Sequence, residues 1–158
     1  MTRTLIIACG NPLRTDDGIG WHIAQKLASQ LRSPDFEILL RFELTPDLAE
    51  DMSHADRVIL IDAAAEGVPG EVRCEAINAA EAAPAFSHEC SPPVLLGLVQ
   101  DLYGATPDAV LISVAGESFK VGQGLTAAVA DSVPVAVNNI LELVASGAKA
   151  IVAHRCSG

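Results

Sequence analysis

Two adjacent carboxylates, Asp16 and Asp17, lie in the stretch Gly10-Asn11-Pro12-Leu13-Arg14-Thr15-Asp16-Asp17-Gly18-Ile19-Gly20, and a third, Asp62, follows the apolar run Val58-Ile59-Leu60-Ile61. His88 falls in a loop just ahead of a helical pattern. Carboxylates and an imidazole brought together from three separate loops suit a metal held with open coordination positions. Such a metal would polarise a carbonyl or lower the pKa of a bound water. A carboxylate outside the coordination sphere, Asp16 in the first instance, would then serve as general base.

Each of these residues also has a plainer reading. Asp16 or Asp17 could cap the helix that follows, whose N-terminus favours negative charge. An Asp at the end of a buried strand is more pointed, because Asp is depleted in strands and a buried charge is costly unless paired. It could still be a loop hydrogen-bonder, and a lone His88 could be structural or solvated. Cys90, two residues after His88, could be a soft ligand, a nucleophile or an incidental thiol. His22, His54 and His154 are assigned no function. The glycine-rich loop is not a phosphate cradle: neither G-x-x-x-x-G-K-S/T nor G-x-G-x-x-G is present, and two carboxylates would repel a phosphate that no cation bridges.

The surrounding elements must present these loops at one place. Leu5-Ile6-Ile7-Ala8-Cys9 reads as a strand covered on both faces. After the loop, Ile19, Ile23, Ala24, Leu27, Ala28 and Leu31 form one helical stripe. The acidic pair therefore sits at the C-terminal end of a strand, where open α/β sheets bind ligands. A second strand is expected over Phe36 to Phe42, then a short helix over Pro46 to Ala55 with Thr45 as N-cap and Pro46 at its first position. Arg57 to Ile61 reads as a third strand ended by Asp62, Ala63 to Gly70 as a loop, and Glu71 to Ile77 as a fourth strand. Ser91 is expected to cap a helix with Val94, Leu95, Leu98, Val99 and Leu102 on one face. Ala109 to Val114 supplies another buried strand, and Leu125 to Ala145 a long helix kinked or interrupted near Pro134. This alternation predicts an α/β three-layer sandwich, a mostly parallel twisted sheet with helices on both faces. With no internal repeat, low-complexity segment or linker, residues 1–158 read as a single domain.

Composition narrows the function classes. The 158 residues are 50% hydrophobic, 19% charged and 4% aromatic, an aliphatic globular chain and not a disordered one. A net charge of −10 argues against nucleic acid, whose binding depends on Lys and Arg neutralising phosphates. A cation or a basic protein surface suits it better. No basic segment leads into an apolar run at the N-terminus, so a secretory signal is not expected. The apolar region from Leu125 to Val144 is broken by Asp131, Pro134, Asn138, Asn139 and Glu142 and is not read as a membrane span. Cys9, Cys74, Cys90 and Cys156 form no C-x-x-C pair, which speaks against structural zinc or a disulfide framework and for a reducing, cytoplasmic setting.

Four motifs in order, G-N-P-L-x-x-D-D-G-x-G after the first strand, Ile61-Asp62-Ala63, Ser87-His88 before an apolar helix, and Gly122-x-Gly124-Leu125, resemble those of hydrogenase maturation endopeptidases. The resemblance runs from about Leu5 to about Val144, and Thr45-Pro46-Asp47-Leu48 is similar to a segment in several members. It implies an endopeptidase that removes a C-terminal extension from the large-subunit precursor of a nickel-iron hydrogenase. It also implies that Asp17, Asp62 and His88 are the metal-contacting trio. The first position is Glu or Asp in such proteins, and the neighbouring Asp16 leaves open which carboxylate coordinates. The resemblance further implies that the metal is nickel carried by the substrate, so a tightly held metal of the enzyme's own need not exist.

Two other classes compete. A receiver-like phospho-acceptor domain also joins an acidic pair after its first strand to an Asp ending its third. There the pair follows the strand almost directly, whereas Gly10 to Thr15 intervene here, and Ala115-Gly116-Glu117 stands where a lysine is expected. A thiol hydrolase using Cys90 and His88 lacks an evident group to orient the imidazole.

Overall fold

The computed structural model describes residues 2–79 and 90–146. Within them the chain runs β1 (Thr4–Cys9), a 3-10 turn (Thr15–Gly18), α1 (Ile19–Gln30), β2 (Phe36–Arg41), α2 (Leu48–Ser53) and β3 (Arg57–Ala64). It continues through β4 (Val72–Ala76), α3 (Pro92–Tyr103), β5 (Asp108–Ala115) and α4 (Ala127–Ser146). The strands form one sheet in the order β2-β1-β3-β5-β4. All neighbours are parallel except the edge strand β4, which pairs antiparallel with β5.

The period of two along each strand explains the layers. Ile6 and Ala8 of β1, Ile59 and Ile61 of β3 and Val110, Ile112 and Val114 of β5 face α1 and α4. The alternate residues Leu5, Ile7, Cys9, Val58 and Leu60 face α2 and α3. Both faces are covered, so the central strands are apolar throughout, and the α/β three-layer arrangement expected from the alternation is the one found. In α1 the buried stripe is Ile19, Ile23, Ala24 and Leu27, while Ala28, expected on it, is exposed. Gly20 is buried in the same helix because a Cβ there would lie 3.0 Å from the carbonyl oxygens of both Cys9 and Ile61. The first turn of α1 thus rests directly on the ends of β1 and β3.

Several boundaries differ from the sequence expectation for identifiable reasons. β3 does not stop before Asp62 but runs to Ala64, because β5 continues to pair with it through Asp62↔Ser113 and Ala64↔Ala115 after β1 has left at Ala8↔Ile61. α4 is continuous through Pro134. Pro134 and Ala130, whose carbonyl loses its donor, both lie on the exposed side, where water can take the missing bond. Its other face carries Val129, Val133, Ala136, Val137, Ile140 and Leu143 into the core. α4 is long and apolar enough to cross a membrane by length and composition, and this packing gives its apolar stripe a partner within the domain. α2 begins at Leu48, later than the expected Pro46 start, after a tightened turn in which the Leu48 and Ala49 amides donate to the Thr45 and Pro46 carbonyls. Ser91 occupies the N-cap of α3 without a side-chain cap bond, and Pro92 and Pro93 follow it; the latter removes an amide that such a cap would bond.

Candidate active site

The parallel order brings the loop after β1 and the end of β3 to one edge of the sheet. Gly10 leaves β1 with φ of +140°, and its amide donates to the Arg41 carbonyl at 3.0 Å. A Cβ at Gly10 would come within 1.9 Å of the Asp17 carbonyl oxygen, so glycine alone lets the loop fold back against its own start. That return places Asp17 where its Oδ2 accepts the Asn11 amide at 2.7 Å. Asn11 in turn accepts the Leu13 amide through Oδ1 at 2.9 Å, an Asx turn that shapes the loop.

Asp62 occupies the step where β1 has departed and β5 still pairs. Among the described residues, its carboxylate accepts only the adjacent Ala63 amide, through Oδ1 at 2.8 Å. Burial pushes its carboxyl up to about 6, the Ala63 amide opposes the rise, and the negative charge of Asp17 adds to it. Cys9 senses the same place: burial pushes its thiol up to about 12, the charges of Asp62 and Asp17 add to this, and Arg41 works against it. Asp17 and Asp62 therefore form a half-buried pair of like charges within electrostatic reach of each other. A cation between two such groups would relieve their repulsion.

Asp16 is the opposite case. It is 0% exposed. Its Oδ2 accepts the amides of Glu117 at 2.8 Å and Ser118 at 3.0 Å and the Thr126 hydroxyl at 2.8 Å, and its Oδ1 accepts the Thr126 amide at 2.8 Å. Burial alone would raise its carboxyl, but the bonds from Ser118, Thr126 and Glu117 outweigh it and hold the group below the usual carboxylate range. A carboxylate engaged in this way is a poor general base, because proton uptake would break bonds already made. The structure gives Asp16 the work of tying two loops together, while the charge of Asp17 reaches Asp62.

His88 lies outside the described residues. Among the described residues no three His, Cys, Asp or Glu side chains are grouped so as to hold a metal; of the expected trio, Asp17 and Asp62 are the members that fall among them. Cys90 packs beside the cluster formed by α2 and α3. Burial and the charge of Asp47 push its thiol up, whereas a thiol nucleophile needs the reverse. The receiver-like arrangement is not matched either. β5 ends at Ala115 and is followed by Gly116-Glu117, with no lysine, and the sheet order with its antiparallel edge differs from the doubly wound 2-1-3-4-5 order of such folds.

Local patterns carry little sign of Thr126 or of the 117–118 amides as partners of the acidic loop. Gly122-x-Gly124-Leu125 marks that segment, but its contact with residues more than 100 positions earlier is visible only in three dimensions. Three exposed apolar side chains rim this edge: Leu13 at 54%, Phe42 at 64% and Val121 at 85%. The Gly122 amide donates to the Leu13 carbonyl at 2.8 Å, and Phe42 lies 5.4 Å from Trp21 between ring centroids.

No protein-family profile matches the chain. It is 32% identical to the hydrogenase 2 maturation protease of Escherichia coli strain K12, over 94% of this chain and 95% of that protein. Its fold is similar to that of the E. coli hydrogenase maturating endopeptidase HybD, with a TM-score of 0.70 and 30% identity over 94% of this chain and 96% of the other. The NiFe hydrogenase maturation protease HycI from Thermococcus kodakarensis KOD1 matches in fold, with a TM-score of 0.72 and 22% identity over 91% of this chain and 93% of the other.

Proposed function

Since this chain belongs to the hydrogenase maturation protease family, we propose that it removes the C-terminal extension of a nickel-iron hydrogenase large-subunit precursor once nickel is in place. Asp17, Asp62 and His88 engage the nickel carried by that substrate. The observation that carries this reading is the placement of two half-buried carboxylates, Asp17 after β1 and Asp62 near the end of the parallel neighbour β3, at one sheet edge, near enough for the Asp17 charge to add to the rise at Asp62. Such a pair is electrostatically incomplete, and a cation delivered by the partner completes it. Docking and metal recognition are then one event.

A nickel-bearing protein also needs a surface to land on. Leu13, Phe42 and Val121 expose apolar side chains on segments that leave this sheet edge, where they could bury area against a docked precursor. When nickel is present it supplies a Lewis acid next to the bond to be cut. The contribution of this chain is to hold two carboxylates ready and to orient the precursor against them. Asp16, already saturated with donors, is not the base in this reading. The thiols of Cys9 and Cys90, free among the described residues, fit a cytoplasmic setting.

The test is mass spectrometry of a large-subunit precursor incubated with the protein, with and without nickel. The nickel-loaded precursor shortens by its C-terminal extension, and the nickel-free form and a short peptide spanning the cut remain intact. Equal cleavage of the loaded and nickel-free forms would overturn nickel as the recognition signal.

A further inference from the structure

We propose that Asp16 and Thr126 are positioning residues for the processing reaction: together they clamp the loop after β1 to the segment before α4 and so fix where Asp17 stands. The proposal rests on the reading that Asp17 belongs to the active site.

The bonds of Asp16 are not those of a helix cap. Its donors, Glu117, Ser118 and Thr126, are 101 to 110 positions away in sequence, and the 3-10 turn and α1 both begin without a side-chain cap bond. The clamp is reinforced by the backbone on either side. The Asp16 amide donates to the Ser118 carbonyl at 3.0 Å and the Thr15 amide to the Gly122 carbonyl at 3.0 Å. The Thr15 hydroxyl donates to the Lys120 carbonyl at 2.6 Å.

Two glycines make the approach possible. A Cβ on Gly116 would lie 2.6 Å from the Phe119 ring and 3.2 Å from the Asp16 Cβ. On the other side of Asp17, a Cβ on Gly18 would lie 2.7 Å from the Pro12 Cα. Asp17 therefore has a fixed neighbour on each side, and its carboxylate is held in addition by the Asn11 amide. The energy of four charge-assisted bonds on one buried carboxylate is concentrated next to the residue that must meet the substrate. A displacement of about 1 Å in a reacting group can cost about 10²-fold in rate, which is why a clamp one residue away matters to chemistry as well as to folding.

Thr126 separates the two roles with least damage. Thr126→Val keeps the backbone bond to Asp16 and deletes only the hydroxyl donor, and Thr126→Ser restores it. With nickel-loaded precursor as substrate, we expect Thr126→Val to lose about tenfold in kcat, the scale of one hydrogen bond to a charged group, with KM within about twofold of wild type. Thr126→Ser returns to near the wild-type rate. Asp16→Asn, whose amide cannot accept all four donors, loses about 10²-fold in kcat if it folds. A readout independent of activity is amide hydrogen exchange at Asn11, which accelerates in Thr126→Val and not in Thr126→Ser. If Thr126→Val keeps wild-type kcat and Asn11 protection, the positioning role is overturned even where thermal stability has fallen. Asp17→Asn serves as the reference: if it processes normally, the assignment of Asp17 fails. If it is inactive while Thr126→Val is fully active, the clamp alone fails.

Discussion

Asp16 and Asp62 stand at the same edge of one sheet, and their surroundings act on them in opposite directions. Asp16 is completely buried, yet three backbone amides and a hydroxyl converge on it and stabilise its charge. Asp62 keeps some exposure but accepts only the neighbouring Ala63 amide among the described residues, and the negative charge of Asp17 acts on it. Burial is the largest effect on both carboxyls and raises each, so by itself it does not decide between them. The number of donors does: a saturated carboxylate anchors a loop, and an undersupplied one retains affinity for a proton or a cation.

The sharpest way to break this comparison is Asp62→Asn. The substitution keeps shape and removes the charge on which a cation would dock, so kcat/KM for nickel-loaded precursor falls by roughly 10²-fold or more, the scale of losing one partner of a desolvated charge pair. The fold survives, because no long-range bond depends on the lost charge among the contacts described for Asp62. Timed mass spectrometry of the precursor together with thermal melting checks both halves. A wild-type rate would put Asp62 in the same class as Asp16, a side chain serving the fold.

How far the sequence carries this comparison depends on the range of the interaction involved. The strand periods of Leu5 to Cys9 and Val58 to Ile61, and the stripe of α1, are local signals, and they suffice to bring Asp17 and Asp62 to a common edge. The split between Asp16 and Asp17 is not legible in the chain, because the donors that distinguish them sit on Glu117, Ser118 and Thr126, beyond the reach of any local pattern. The extension of β3 through Asp62 to Ala64 is hidden for the same reason, since β5 and not the sequence of β3 sets where pairing ends. Pro134 misleads in a different way: its helix-breaking effect is real, but the freed Ala130 carbonyl lies on the exposed side of α4.

A second and smaller effect distinguishes the two carboxylates through pH. The Asp62 carboxyl is raised from 3.8 to about 6 in the fold, so between roughly pH 4 and 6 the folded state binds more protons than the unfolded state. Stability then falls as pH rises through this window and levels off above it. Two units correspond to about 3 kcal/mol at most, and partial exposure reduces this to about 1–2 kcal/mol. Asp16, held below its ordinary value, works in the other direction: its contribution is present above that value and is lost on acidification through the folded one. The expected outcome for nickel-free protein in urea titrations is that Asp62→Asn gains about 1–2 kcal/mol on wild type between pH 4 and pH 7. A difference that does not change with pH would remove Asp62 as the strained partner in the comparison.

The smallest expected effect is at Cys90, and it tests whether the chemistry belongs to the carboxylates at all. Cys90 follows His88 by two positions, which is what makes a thiol mechanism conceivable from sequence. Burial and the charge of Asp47 both favour its neutral thiol, and Cys9 is held protonated still more firmly, at about 12. Among the described residues no positive charge outweighs these effects, that of Arg41 on Cys9 included, whereas a thiolate near neutral pH needs electropositive surroundings. Cys90→Ala removes a small side chain beside the cluster of α2 and α3, which costs about 1 kcal/mol of stability or less and should leave the processing rate within about twofold of wild type. Pre-treatment of the wild-type protein with iodoacetamide should leave it similarly unchanged, or slow it only as far as bulk at Cys90 disturbs that packing. Loss of cleavage in Cys90→Ala with the fold intact would transfer the reaction from the aspartate pair to the thiol.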